Sequence, residues 1–113
     1  MRILIVDDHD AFARVVIQQF LATHHVVLVA TLSGARAELE AGPFEAVLVD
    51  DEFADGGGEA LVAELSRRRP ELRLVGISAN AEGNARLRAA GAHATCEKKD
   101  LAQIGEVLAS LIT

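Results

Sequence analysis

Asp7 and Asp8, Asp50, Ser78 and Lys98 each stand at the end of a short apolar run: "ILIV" (3–6) leads into the acidic pair, "AVLV" (46–49) into Asp50, "LVGI" (74–77) into Ser78, and the weaker "HATCE" (93–97) into Lys98. If these runs are parallel strands, the set brings three carboxylates, one hydroxyl and one ammonium to a single edge. Any one polar residue ending a strand is commonplace, but the whole set in order is not. Carboxylates about 4 Å apart repel by about 4 kcal/mol at an effective dielectric near 20, so the cluster requires positive charge. Lys98 offsets one carboxylate as a point cation, and the remainder calls for a hard divalent ion. Mg²⁺ takes about six oxygens, keeps several waters, and is usually held by one or two carboxylates together with a phosphate group. Asp7, Asp8 and Asp50 therefore read as Mg²⁺ ligands beside a phosphorylated species. His24 and His25 open a strand on the opposite edge, where they read as surface residues, and Cys96 is not placed with them for zinc.

The elements that must position these groups follow from the pattern. The runs at 3–6, 46–49 and 74–77 lack the alternation of a half-wet strand and read as strands covered on both faces; "VVLVA" (26–30) is a further strand and 93–97 a weaker fifth. Helical patterns lie between them. Residues 11–22 place Phe12, Val15, Val16 and Phe20 on one stripe, and Ser33 caps a helix that runs to Gly42 before Pro43. Residues 59–68 carry Leu61, Val62 and Leu65, and residues 82–90 form a shorter, Ala-rich helix ending at Gly91. Asp100 caps a last helix whose apolar face is Leu101, Ile104, Val107, Leu108, Leu111 and Ile112. Five β-α units with right-handed crossovers give one α/β domain over 1–113, a five-stranded parallel sheet with helices on both sides. In such sheets ligands gather outside the carboxyl ends of the strands.

A formal net charge of −6 argues against a nucleic-acid or anionic-membrane surface. Arg67, Arg68 and Arg69 precede Pro70, where cations complement a helix C-terminus, so they read as a solvated helix end. A lone Cys96 forms no intramolecular disulfide, and "MRILIVDDHD" fits neither a signal peptide nor a membrane span, so the expectation is a soluble cytoplasmic protein with a buried, inert thiol.

The sequence resembles the receiver domain of two-component response regulators, the CheY-like family, over essentially its whole length. The resemblance rests on "VDDHD", "LVDDEFADGGG", "ISA" and "GAHATCEKKDL" in that order. It implies a doubly wound, flavodoxin-like (βα)5 fold with strand order 2-1-3-4-5. By the same likeness Asp50 is the phosphoacceptor, Asp7 and Asp8 hold Mg²⁺ with Asp50 and the backbone carbonyl of Glu52, Ser78 binds a phosphoryl oxygen, and Lys98 pairs with the acyl phosphate. The implied partners are a sensor histidine kinase or phosphotransfer protein and a downstream target on the last helix-strand-helix face; a homodimer is compatible with it. The protein would be a self-phosphorylating switch, with slow autophosphatase activity at most, rather than an enzyme.

Asp51 is the rival acceptor. Alternation disfavours it, because a register that brings residue 50 to the crevice turns its neighbour away, and Gly58 then falls where the family pattern has a glycine. Ala54 stands in place of the usual Pro, Gly56 to Gly58 suggest a mobile acceptor loop, Thr95 replaces the switch aromatic, and Lys99 replaces a Pro. Glu52 either aims its carboxylate at the phosphoryl group or lies in solvent. The missing aromatic and Pro favour a degenerate receiver that docks partners without phosphorylation, whereas the intact acidic, hydroxyl and lysine set disfavours it. A small Mg²⁺-dependent phosphatase rests on Glu52 alone, and a flavin carrier fails because "DDHDAF" would repel the phosphate of its cofactor.

Overall fold

In the computed structural model, which describes residues 1–112, the apolar runs form five parallel strands: β1 (Arg2–Val6), β2 (His25–Val29), β3 (Ala46–Val49), β4 (Arg73–Gly76) and β5 (Ala94–Thr95). They lie in one sheet in the order β2-β1-β3-β4-β5. Every residue from Ile3 to Val6 and from Ala46 to Val49 is buried, which explains why those runs show no polar alternation. The pleat still sorts them. Leu4, Val6, Val47 and Val49 face one layer with Leu32, Leu39, Leu61, Leu65 and Leu87, while Ile3, Ile5, Ala46 and Leu48 face another with Val16, Leu101, Ile104 and Leu108. Each large aliphatic chain so removed from water contributes about 1.5–3 kcal/mol.

The helices supplying those layers are α1 (Asp10–Phe20), α2 (Leu32–Ala41), α3 (Gly58–Arg68), α4 (Ala81–Ala90) and α5 (Ile104–Ile112). Helices α2, α3 and α4 cover one face, and α1 and α5 the other. The chain moves outward from β1 to β2 and then crosses back to β3, so strand order reverses between β1 and β3, and the crevice opens there.

Local readings need correction in several places. On α1 the buried stripe is Ala13 and Val16, with Phe12 and Ile17 packed beside them, whereas Val15 is 48% exposed and Phe20 38%. The small Ala13 lets the helix approach the sheet, which turns Val15 outward. Thr31, not Ser33, caps α2, accepting a hydrogen bond from Gly34 N at 3.0 Å. Helix α4 starts at Ala81 and equals α2 in length, with Asn80 as an unforeseen cap accepting from Gly83 N. The chain enters α5 through a 3-10 turn, Lys98–Gln103, so Asp100 lies inside that turn and its amide donates to Glu97 O. The side chain of Ile112 lies outside the described residues. Among the described residues no helix is long and apolar enough to cross a membrane.

Candidate functional site

The sheet ladder continues past the strand ends and fixes the backbone of the candidate residues. Asp7 N donates to Val29 O, Asp50 N to Val6 O, Ile77 N to Val49 O, and Lys98 N to Ser78 O. Gly58 completes this frame by donating its amide to Asp51 O, and a Cβ at that position would collide with the Asp50 carbonyl oxygen. Only glycine allows α3 to start so close to the acceptor strand.

On this frame Asp7 and Asp50 are buried, 1% and 3% exposed, and Lys98 bridges them. Its Nζ donates to Asp50 Oδ2 at 2.8 Å and to Asp7 Oδ1 at 3.2 Å, and lies 3.0 Å from Asp7 Oδ2. Burial alone would lower the Lys98 pKa, but the hydrogen bonds to Asp50 and Asp7 and their negative charge outweigh it and hold the ammonium above its ordinary value. The other Asp50 oxygen, Oδ1, accepts from Asp51 N at 2.7 Å. Asp8 projects into solvent at the rim.

His9 joins them, which the sequence reading missed. Its Nδ1 lies 3.2 Å from Asp7 Oδ1, 3.4 Å from Asp8 Oδ1, 3.5 Å from Asp50 Oδ2 and 2.9 Å from Lys98 Nζ. One ligand atom from each of Asp7, Asp8, His9 and Asp50 falls within 4.8 Å of the others. The signal was its place directly after the acidic pair, in the turn that leads into α1. His24 and His25 sit at the opposite end of the sheet, as expected, with His24 Nδ1 3.2 Å from the N-terminal amine.

These residues suit a hard divalent ion. Asp7 Oδ2 is buried and, apart from its ion-pair contact with Lys98 Nζ at 3.0 Å, accepts no hydrogen bond, so this carboxylate oxygen keeps a lone pair that a divalent ion can take up. One ammonium also leaves the three carboxylates undercompensated.

One expected residue behaves differently. Ser78 is fully buried, yet its hydroxyl donates to Asp51 Oδ1 at 3.0 Å and is not turned toward Asp50. Asp51 itself is buried and turned from the Lys98 side, as alternation required, and its Oδ2 pairs with Arg86 Nη2 at 3.0 Å. Asp55, part of the same acidic run, does not belong to the cluster: its two oxygens accept from Leu32 N and Ser33 N, each at 3.1 Å, at the start of α2. Those backbone hydrogen bonds hold its carboxyl below the usual range. The acceptor loop forms regular structure despite its glycines. Glu52–Phe53 pairs antiparallel with Gly56–Gly57 in a two-rung hairpin, and Gly56 takes a φ of 142° that favours glycine. Glu52 is exposed on this hairpin.

Comparison with known proteins agrees with this geometry. The family model described as "Response regulator receiver domain" matches residues 3–106. A CheY-like receiver domain protein from Methanospirillum hungatei JF-1 is 25% identical with a TM-score of 0.86, covering 98% of this chain and 92% of that one. Response regulator TrrA from Thermotoga maritima, solved in complex with Mg²⁺-BeF, is 17% identical with a TM-score of 0.87, covering 97% of each chain. RcsB from Salmonella enterica serovar Typhimurium is 18% identical with a TM-score of 0.80, covering 98% of this chain and 67% of that one. No curated protein matches the chain. With a doubly wound sheet, an acidic pocket at its switch point and a family match over almost the whole length, the chain belongs to the response regulator receiver domain family.

Proposed function

We propose that the protein accepts a phosphoryl group on Asp50 in a Mg²⁺-dependent reaction and thereby switches partner binding. The carrying observation is the bridging of buried Asp7 and Asp50 by Lys98, with Asp7 Oδ2 accepting no hydrogen bond. Such a cluster is costly for a structural purpose and well suited to holding a divalent cation, which with Lys98 would let the pocket receive a phosphoryl anion.

The donor is a phosphohistidine of a sensor kinase or phosphotransfer protein, or a small acyl phosphate. A carboxylate oxygen of Asp50 forms the new P–O bond as the bond from phosphorus to the donor breaks, and the donor leaves with the electron pair of that bond. Asp7, Asp8, Asp50 and the Glu52 carbonyl are the residues that would hold Mg²⁺, which neutralises charge on the transferred group when bound. Lys98, already on Asp50 Oδ2, shifts its hydrogen bonds to the phosphoryl oxygens and offsets the charge that accumulates there. Burial of Asp50 keeps water from the acyl phosphate until partners have responded.

For a signalling partner, a groove of about 500 Å³ runs between α4, β5 and the 3-10 turn, lined in part by Ala81, Arg88, Thr95, Glu97 and Gln103. It is also lined by Asn84, whose side chain accepts a hydrogen bond from the Ser78 amide at 2.9 Å. This is the last helix-strand-helix face on which a downstream target would dock, in a cytoplasmic setting.

The test is intact-mass analysis after treatment with acetyl phosphate and Mg²⁺. The wild type gains one phosphoryl group and Asp50→Asn gains none. Equal labelling of both rules out Asp50, and an unlabelled wild type promotes phosphorylation-independent docking.

A further inference from the structure

The reaction above leaves one buried acid unused. Asp51 is 7% exposed and its carboxylate makes two polar contacts, Oδ1 with Ser78 Oγ and Oδ2 with Arg86 Nη2, both at 3.0 Å. Ser78 is locked from the other sides as well. Its Oγ accepts from Asn80 N at 3.2 Å, and its own amide donates to Asn84 Oδ1 at 2.9 Å. Gly83 closes the arrangement, since a Cβ there would collide with both Ser78 Oγ and Asp51 Oδ2. A hydroxyl has a single proton to donate. While that proton rests on Asp51, it cannot serve a phosphoryl oxygen on Asp50.

We propose that Asp51 is a positioning residue that holds the Ser78 hydroxyl in a resting arrangement, which a phosphoryl group on Asp50 must dismantle before the switch can close. The inference rests on Asp50 being the acceptor. When Ser78 turns to the phosphoryl group, Asp51 keeps its charge in a buried place and loses one of its two partners, beside a newly arrived anion. Both effects oppose the phosphorylated arrangement, so Asp51 acts as a brake that sets how much binding energy the phosphoryl group must supply. Hydrogen bonds to charged acceptors are about twice as strong as neutral ones, and the brake is correspondingly firm.

Titration of Mg²⁺ and beryllofluoride, followed by ¹⁹F NMR of the bound species, tests this on the wild type, Asp51→Ala, Ser78→Ala and the double variant. Asp51→Ala should bind about tenfold more tightly than the wild type. In the Ser78→Ala background the gain should fall to about threefold or less, because the hydroxyl through which Asp51 acts is gone. Should Asp51→Ala fail to fold, Asp51→Asn keeps the shape, weakens the hold on Ser78, and should still tighten binding. Binding by the Asp51 variants that is equal to or weaker than wild type, or a gain undiminished by Ser78→Ala, overturns the brake while leaving the acceptor intact. A wild type that binds no beryllofluoride overturns the acceptor reading, and the brake falls with it.

Discussion

Replacing Lys98 by Met removes the ammonium that lies 2.8 Å from Asp50 Oδ2 and 3.0 Å from Asp7 Oδ2, while keeping an apolar chain of similar length beside Phe12. At these separations each attraction is about 6 kcal/mol at an effective dielectric near 20. Desolvation of the ammonium offsets much of that, and removing one partner of a buried ion pair costs about 3–5 kcal/mol. The ammonium is not wholly removed from water, its side chain being 11% exposed, so the expected destabilisation is near the lower end, about 3 kcal/mol at pH 7 without divalent ions. Urea unfolding followed by circular dichroism measures it. Saturating Mg²⁺ should restore about 2–3 kcal/mol, because an ion bound only to the folded state at about 100 times its Kd stabilises by that amount. A loss below about 0.5 kcal/mol would refute the view that Lys98 holds two buried charges.

Other consequences follow from the same geometry. Gly58→Ala drives a Cβ into the Asp50 carbonyl oxygen and should cost about 2–4 kcal/mol in urea unfolding; a neutral result would show that the start of α3 yields easily. Lys98 binds its proton more tightly in the folded protein than in the unfolded chain, so its contribution is complete below the ordinary value of 10.5 and is lost as pH rises through the raised folded value. The wild type should therefore lose stability more steeply than Lys98→Met as pH rises from about 10.5 through the raised folded value, as pH-dependent unfolding curves would show. Burial, with Asp100 and Glu97 nearby, pushes the Cys96 thiol up, and alkylation by iodoacetamide at pH 7 should be at least about tenfold slower in the native protein than in urea.

The strands were legible in the sequence because both-face burial leaves a plain mark: a run such as Ala46 to Val49 has no polar residue to place. Parallel topology then carried Asp7, Asp50 and Lys98 to one edge without any pairwise contact being known. Partner choice among side chains was not legible. Whether the Ser78 hydroxyl meets Asp50 or Asp51 depends on a rotamer and on the space left by Gly83, neither of which has a local pattern. Likewise Asp55 joins the start of α2 across 23 residues of chain, a pairing that has no local pattern in the sequence. The stripe on α1 was misplaced because Ala13 counts little in a hydrophobic pattern yet sits against the sheet with 2% exposure.

The central claim is that Asp50, rather than its buried neighbour Asp51, carries the phosphoryl group. Borohydride reduction of the phosphorylated protein converts the labelled aspartate to homoserine, and peptide mapping by tandem mass spectrometry locates it. Homoserine at position 50, dependent on Mg²⁺ during labelling, is the predicted result. Homoserine at position 51, or at neither position in protein shown by intact mass to be phosphorylated, would contradict the account.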